Sequence, residues 1–167
     1  MNLFLDYKKN FIIHLNELNK KDLIECPNDL NHLTVENPPR DIDADLSFNA
    51  ALALAKFNKK NPMDLAINLK ELFIKKFNEF ETIEVAKPGF INFKFKNNFW
   101  NNYIFQIIKL KNSFGTNKNK KLKFNIEFVS ANPTGPLHVG HCRGAILGDV
   151  LSNLLKFNGH EVIKEYY

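Results

Sequence analysis

Two histidines toward the carboxyl end of the chain have the residue types and spacing needed to bind a phosphate. His138 and His141 are three residues apart, so at the start of a helix their side chains project from neighbouring positions on one face. The first turn of a helix also offers free backbone N–H groups and the positive end of the helix dipole. Gly140 removes a side chain where a phosphate must come close. Two imidazole donors beside a helix amino terminus therefore predict a phosphate site.

The elements that must position these histidines follow from the hydrophobic pattern. That pattern predicts a buried strand over residues 122–130, a helix over 139–157 and a second strand over 160–167. A strand, a helix and a strand in this order predict one βαβ unit with parallel strands. Glycines recur every four residues along the helix, at positions 140, 144 and 148. This spacing predicts a bare stripe on the helix that packs tightly against the sheet.

The residues around the histidines extend the motif well beyond four positions. One run reads Glu127-Phe-Val-Ser-Ala-Asn-Pro-Thr-Gly-Pro-Leu-His-Val-Gly-His-Cys-Arg143, and a later run reads Gly159-His-Glu-Val-Ile-Lys-Glu-Tyr-Tyr167. The His-x-Gly-His element resembles the first signature of class I aminoacyl-tRNA synthetases, and the longer run resembles the arginyl-tRNA synthetase family in particular. The later run is similar to that family's next strand. The resemblance implies a Rossmann-like α/β catalytic domain, of which this chain holds the first βαβ unit.

The resemblance implies an ATP-dependent ligase that activates L-arginine to arginyl-adenylate and transfers it to tRNA(Arg). Activation is attack of the arginine carboxylate on the α-phosphate of ATP, which needs positioning and charge stabilisation more than proton transfer. The family pattern makes His138 and His141 catalytic phosphate donors and places Gly140 and Pro136 in the ATP site. ATP, with Mg²⁺, would be a substrate, and no metal site within the chain is expected. The signature region comprises Ala131, Asn132, Pro133, Thr134, Gly135, Pro136, Leu137, His138, Val139, Gly140 and His141.

Three residues before the histidines are implied by the resemblance to bind the substrate arginine. Glu127 is acidic on an otherwise apolar strand, where a buried carboxylate is costly unless it is paired. A guanidinium ligand would be such a partner, and a neighbouring lysine is the structural alternative. Ser130 and Asn132, at the end of the strand, are expected to hold the α-amino and carboxylate groups of the substrate. Arg143 could face phosphate or solvent, and Cys142 is expected to be an ordinary helix residue.

The first 112 residues carry a different pattern of elements. Apolar spacing predicts an amphipathic first helix with His14 away from its apolar face, and an acidic cluster at 41–45 is expected to precede and cap a later helix. Alternating residues around Lys87-Pro-Gly89 predict a β-hairpin. The predicted elements are helix 2–20, strand Leu33 to Glu36, helix Leu46 to Phe57, a helix from Pro62 to about Phe77, strands 82–86 and 90–95, and helix Phe99 to Leu110.

Two runs in this region are similar to the additional N-terminal domain of arginyl-tRNA synthetases. They read Asp45-Leu-Ser-Phe-Asn-Ala-Ala-Leu-Ala-Leu-Ala55 and Val85-Ala-Lys-Pro-Gly-Phe-Ile-Asn-Phe93. The resemblance implies an α+β module that contacts the tRNA elbow near the D-loop. Asn92, Lys94 and Lys96 alternate on the strand with apolar residues, so they are candidate tRNA contacts on an exposed sheet face. A solvated sheet face explains the same three residues without RNA.

The amino-acid composition places only broad limits on the class and function of the chain. The chain has 167 residues, 44% of them hydrophobic, which is ample for a folded core, and a net charge of +5 that permits nucleic-acid contact without demanding it. The two cysteines form no Cys-x-x-Cys pair, so neither a zinc site nor a disulfide framework is suggested. With no apolar run long enough to span a membrane, a cytoplasmic protein with no membrane partner is expected. A full-length version is expected to be a monomer.

The expected organisation is an α+β tRNA-contacting domain over residues 1–112, a linker over 113–121 and an incomplete catalytic domain over 122–167. No lysine-rich loop of the second class I signature follows the βαβ unit. A single βαβ unit also leaves an exposed sheet edge and a bare apolar face. We therefore expect the chain to be an N-terminal fragment of the ligase that is inactive alone.

Two other functions stay open on the sequence. The N-terminal domain could act alone as a tRNA-binding module, and binding of tRNA by residues 1–112 would distinguish this case. An unrelated nucleotidyltransferase could also carry a His-x-Gly-His element. Such an enzyme has no reason to carry Glu127, Ser130 and Asn132 at these positions.

Overall fold

The computed structural model describes residues 2–116, 121–132 and 134–166. Contacts divide the chain into two compact units, an N-terminal unit over Asn2–Leu110 and a C-terminal unit that begins at Lys111. Part of the expected linker, residues 117–120, lies outside the described residues, as does Pro133 of the signature region. Within the described residues, no helix is both long and apolar enough to cross a membrane.

The N-terminal unit is an α+β fold built on a four-stranded antiparallel sheet with strand order β1-β2-β4-β3. Its elements are α1 (Leu3–Asn19), β1 (Val35–Glu36), β2 (Leu46–Phe48), α2 (Ala50–Leu54), α3 (Pro62–Lys76), β3 (Phe80–Ala86), β4 (Phe90–Phe95) and α4 (Asn97–Leu110). The predicted first helix, the helix from Pro62 and the β-hairpin are confirmed. Side-chain oxygens of Asn2 and Asn61 cap α1 and α3 by accepting backbone N–H groups of the first turn.

The core of this unit is a cluster of phenylalanines between the helices and one sheet face. Phe11 of α1 is fully buried and stacks on Phe93 of β4 with ring centroids 4.6 Å apart. The same ring makes an edge contact with Phe73 of α3, at 5.1 Å. Such aromatic pairs each add about 0.5–1.5 kcal/mol beyond the area they bury. The unit therefore has a closed hydrophobic core of its own.

The helix predicted over Leu46 to Phe57 is wrong at its start. Residues Leu46–Phe48 form strand β2, which pairs with β4, and only Ala50–Leu54 are helical. Both apolar ends of β2, Leu46 and Phe48, are fully buried. Pairing with a strand more than forty residues later outweighs the local helix propensity of this Ala- and Leu-rich stretch.

Two smaller expectations for this unit are also wrong. The acidic cluster caps no helix, because Asp45 instead accepts the backbone N–H of Phe95 at 2.7 Å and Asp43 accepts a bond from Lys94. His14 lies on the buried face of α1, with Phe73 and Phe77 at edge contact around its ring. Its Nδ1 lies 3.4 Å from Oε2 of Glu17.

The C-terminal unit contains the predicted βαβ arrangement. A short 3₁₀ turn (Lys111–Ser113) precedes β5 (Lys123–Glu127), α5 (Val139–Phe157) and β6 (Glu161–Glu165), and the two strands pair in parallel. Helix α5 ends at Phe157 with Asn158 as its C-cap, and the backbone N–H groups of Gly159 and His160 donate to carbonyls of the last turn. Gly159 has a φ of 86°, which this turn requires. The predicted helix and its ending are confirmed.

The strands of this unit are shorter than predicted, and β5 is not buried. Lys123, Asn125 and Glu127 are exposed, while Phe124 and Ile126 are half-buried. In the described part of the chain β5 pairs only with β6, and α5 packs on it, so one edge and one face stay open. The same openness leaves large apolar side chains of α5 exposed: Ile146, Leu147, Val150, Leu151 and Leu154.

Candidate phosphate site and neighbouring groove

The two histidines of the motif meet at the amino terminus of α5. His138 is the N-cap residue, and its Nδ1 accepts the backbone N–H of Gly140 at 3.1 Å. His141, in the first turn of the helix, uses its Nδ1 to accept the backbone N–H of His138, also at 3.1 Å. The ring centroids lie 4.0 Å apart. The histidines thus cap the helix reciprocally, in the manner of a capping box.

A groove of about 370 Å³ lies between the end of β5 and the start of α5. Its lining includes Val129, Ser130 and Ala131 from the strand side and His141 and Arg143 from the helix. Val129 has a φ of 62°, a left-handed conformation that is rare for a β-branched residue. Such strain is characteristic of ligand sites, where the surrounding structure holds the backbone in place.

Close packing of α5 on the end of β5 fixes the position of this groove. A Cβ atom on Gly148 would lie 2.2 Å from Cγ of Phe128, so only glycine permits the contact. The expected glycine stripe is confirmed at this position but is wrong at Gly144, where a Cβ would meet nothing within 4 Å. At Gly140 the near neighbour is the ring of His138 and not the sheet, so of the three glycines Gly148 makes the close contact with the end of the strand.

A polar contact ties α5 to the second strand. Lys164 of β6 donates a hydrogen bond to Asp149 of α5, and that bond, with the charge of Lys164, lowers the pKa of Asp149. Asn153 donates a further bond to the same carboxylate at 2.9 Å. The start of α5 is therefore held by contacts along the rest of the helix.

The structure gathers some of the predicted site residues and leaves others apart. Ser130, Gly140 and His141 line the groove, and His138 lies against His141. Glu127 is exposed at the end of β5, which corrects the expectation of a buried carboxylate. The open face of β5 in the described residues is the reason. Three of the predicted site residues are not among the described residues that line the groove: Glu127, Asn132 and Pro136.

Sequence reasoning missed two features of the groove. Arg143 could not be assigned to phosphate or solvent, and the structure places it on the groove wall. The left-handed backbone of Val129 has no sequence signal, since valine is a poor residue for that conformation. The residue types alone could not have found it.

The N-terminal unit has a separate cavity of about 440 Å³ on the sheet face opposite its core. Asn92 of β4 lines it and is only 4% exposed, and its Oδ1 has no hydrogen-bond partner among the described residues. The expectation of an exposed Asn92 is therefore wrong. The reason is that segment 37–44 folds over this part of the sheet and lines the same cavities. Other walls come from Pro38, Pro39, Ser47, Lys87 and Phe90.

Both lysines that were predicted to contact tRNA from this sheet face already donate hydrogen bonds within the protein. Lys94 donates to Asp43 at 2.6 Å, and this bond raises the pKa of Lys94. Lys96 is exposed and donates to the backbone carbonyl of Asn78 at 2.6 Å. Within residues 2–116, 121–132 and 134–166, no group of three or more His, Cys, Asp or Glu side chains could hold a metal ion.

Comparison with known proteins agrees with both units. The profile described as "Arginyl tRNA synthetase N terminal domain" matches residues 6–95, and "tRNA synthetases class I (R), catalytic domain" matches residues 103–167. The arginine–tRNA ligase of Pelagibacter ubique is 54% identical over 168 residues, covering 100% of this chain and 29% of the relative. That of Brucella ovis is 43% identical over 169 residues, covering 100% of this chain and 28% of the relative.

Two solved arginyl-tRNA synthetases share the fold. The one from Thermus thermophilus superposes with a TM-score of 0.56 at 24% identity, over 95% of this chain and 25% of that chain. The one from Plasmodium falciparum gives 0.62 at 21% identity, over 95% of this chain and 30% of that chain. The chain thus spans less than a third of the length of these relatives. The sequence profiles and the curated relatives place this chain in the arginyl-tRNA synthetase family.

Proposed function

We propose that this chain supplies the ATP-phosphate site and part of the arginine site of an arginine–tRNA ligase. The observation that carries the proposal is the pair of imidazoles that cap the start of α5, beside a groove at the end of a parallel strand. Open α/β sheets bind ligands beyond the carboxyl ends of their strands, which is where this groove lies. Because the chain spans 29% of the length of its Pelagibacter relative, the activity belongs to a longer protein.

The chemistry needed is attack of the arginine carboxylate on the α-phosphate of MgATP. A bond forms between a carboxylate oxygen and the α-phosphorus, the bond from that phosphorus to the bridging oxygen breaks, and pyrophosphate leaves. His138 and His141 would donate hydrogen bonds to the phosphates as negative charge develops, and the start of α5 would add its dipole. Arg143 on the groove wall would add a fixed positive charge.

Arginine would enter at the end of β5. Ser130 lines the groove and would hold the α-amino and carboxylate end together with Asn132. Glu127 is a carboxylate at the end of the strand and would pair with the guanidinium through two parallel hydrogen bonds. Glu165 lies beside it in register on β6 and is a second exposed carboxylate at the same edge of the sheet.

The experiment uses a chimera in which residues 1–167 of this chain replace the corresponding part of the Pelagibacter ligase. We expect the chimera to charge tRNA(Arg) with arginine. Glu127→Gln should raise the KM for arginine about tenfold or more, because a charge-assisted pair is lost. The matched control is Glu165→Gln, which removes the neighbouring carboxylate and should change this KM much less. Equal effects of the two substitutions would contradict the assignment of Glu127.

We also propose that the N-terminal unit contacts tRNA at the cavity around Asn92. Its lining combines apolar side chains, such as Pro38 and Phe90, with a buried amide whose Oδ1 lacks a partner. Aromatic surface and a buried hydrogen-bonding group together suit an unpaired nucleobase. Lys96, at the end of the same strand, would contact phosphate.

Affinity for tRNA(Arg), measured by filter binding, tests this contact. Asn92→Ala should weaken binding several-fold without lowering the stability of the unit, because the lost Oδ1 has no hydrogen-bond partner among the described residues. Lys96→Gln should reduce the salt dependence of binding, whereas Lys9→Gln, the removal of an exposed charge on α1, is the matched control. Unchanged affinity in Asn92→Ala would exclude this cavity.

A further inference from the structure

We infer that His138 and His141 orient each other as neutral imidazoles that both present Nε2–H to the ligand, and that Gly140 is the positioning residue that makes this arrangement possible. The inference rests on the proposed function for the identity of the ligand, a phosphate. Both rings hold this state before any ligand binds.

The hydrogen bonds assign the tautomers. A backbone N–H can only donate, so the Nδ1 that receives it must be unprotonated. Gly140 N–H donates to Nδ1 of His138, and His138 N–H donates to Nδ1 of His141, each at 3.1 Å. The proton of each neutral ring must then lie on Nε2. Each ring therefore accepts with one nitrogen and keeps one N–H donor for the ligand.

The two bonds depend on each other. The N–H that His141 accepts belongs to His138, the residue whose own ring caps the helix, and the backbone N–H of His141 donates to the carbonyl of His138 at 2.9 Å. Loss of the His141 ring frees the backbone of His138 and thereby loosens the His138 ring. Because the rings are 4.0 Å apart at their centroids, the two remaining donors lie close enough to serve one phosphate chain.

Gly140 makes room for the ring of His138. A Cβ atom at position 140 would lie 2.9 Å from both Nδ1 and Cε1 of that ring, too close for any real contact. The ring would have to move away from this Cβ, which would lengthen its 3.1 Å bond to the Gly140 N–H. Gly144, one turn later in the same helix, has nothing within 4 Å of the corresponding position. The two glycines thus differ in whether a side chain at that position would meet the His138 ring.

Two neutral imidazoles that are fixed in this way interact with the backbone differently from a pair of charged histidines. Charged rings would carry a proton on Nδ1 as well, and neither could then accept its backbone N–H. The arrangement therefore costs no reorganisation when phosphate arrives, which is the property of a preorganised electrostatic site.

The test is a long-range ¹H–¹⁵N spectrum of the imidazoles in the 167-residue chain at neutral pH, without nucleotide. The signals of His138 and His141 are assigned by the loss of each in His138→Asn and His141→Asn. We expect both residues to show a single neutral form protonated at Nε2, with Nδ1 hydrogen-bonded. A charged ring, an Nδ1-protonated form, or a mixture of tautomers at either residue would overturn the inference.

Substitutions can separate the positioning of the His138 ring from the mere presence of the two histidines. Gly140→Ala should convert the His138 signal to a mixture of tautomers, and Gly144→Ala should leave it unchanged, although both substitutions favour the helix equally. His141→Ala should give the same mixed His138 signal, since the bond to the His138 N–H is lost. An unaltered His138 signal in Gly140→Ala or His141→Ala would refute the positioning role.

This readout is independent of ligase activity. If the spectra are as expected but the chimera does not charge tRNA(Arg), the proposed function fails and the assignment of the rings stands. If the chimera charges tRNA(Arg) but the rings are charged or mixed, the inference fails and the proposed function stands.

Discussion

His138 and His141 each use one ring nitrogen on the backbone and keep the other for a ligand. The sequence could predict that these two residues share one face at a helix start, because that follows from their spacing. It could not predict the ring orientations, which depend on where the backbone N–H groups point. Asn92 shows the same limit, because strand alternation gives its face but not the segment that folds over it.

Tyr7 offers a test of the N-terminal core at the residue scale. Its hydroxyl donates to Oε1 of Glu79 at 3.0 Å, and burial, followed by the Glu79 carboxylate, raises the pKa of Tyr7 well above its usual value. A raised pKa means that the folded state holds the phenolic proton more tightly. Its contribution to stability is therefore complete below the ordinary tyrosine pKa of about 10 and is lost as the pH rises above it.

We predict that Tyr7→Phe lowers the free energy of unfolding by about 1 kcal/mol at neutral pH, through the lost hydrogen bond. The variant should also lose less stability than the wild type between about pH 8 and about pH 11, on either side of the ordinary tyrosine pKa. Urea unfolding followed by fluorescence of Trp100, which packs against this core, measures both effects. Equal alkaline losses in the two proteins would show that Tyr7 does not carry this dependence.

Among the helices and strands, the sequence correctly predicted those whose bounds depend on residues nearby in the chain. The caps and apolar faces of α1, α3 and α5 lie within their own sequences, and all three helices were predicted within a residue or two. Strand β2 was missed because its pairing partner β4 is distant in sequence, and its composition favours a helix. The exposure of β5 follows from the absence of a second strand partner in the described residues, which no pattern within β5 encodes.

The packing of α5 on β5 gives a prediction at this scale. Gly148→Ala should destabilise the C-terminal unit by about 1–3 kcal/mol, because the new Cβ meets both Cβ and Cγ of Phe128 and no rotation of that ring removes the clash. The control, Gly144→Ala, should stabilise α5 by about 0.5–1 kcal/mol through helix propensity. Amide hydrogen exchange within α5 reports both, and faster exchange in Gly148→Ala alone is the expected result. Equal exchange in the two variants would contradict the packing.

Each unit of the molecule leaves one helix with exposed apolar residues. The N-terminal unit encloses its phenylalanine cluster but exposes Ile104, Phe105 and Ile108 of α4, and α5 of the C-terminal unit exposes a row of large aliphatic side chains that includes Leu147 and Leu154. The exposure of α5 was predictable, because a single βαβ unit cannot bury both faces of its sheet and helix. An exposed apolar surface of this kind marks a site of further packing. We propose that the rest of the ligase covers it.

We predict that replacing Leu147 and Leu154 together by glutamine reduces binding of a hydrophobic dye to the 167-residue chain. The same pair should destabilise the chimera by several kcal/mol, since covered leucines lose their burial there. Ile67→Gln, which changes one exposed isoleucine on α3, is the control for both measurements. A chimera that tolerates the pair as well as it tolerates Ile67→Gln would show that α5 is not covered in the ligase.

The most direct test of the whole account is the rate at which the chimera charges tRNA(Arg) when both histidines are replaced by alanine. The account predicts a fall of about 100-fold or more in kcat, the cost of removing preorganised donors to a developing negative charge. Cys142→Ala, next to His141 but without a role in adenylate formation, should charge at the unaltered rate. An unaltered kcat after loss of both imidazoles would contradict the claim that they bind the phosphates of ATP.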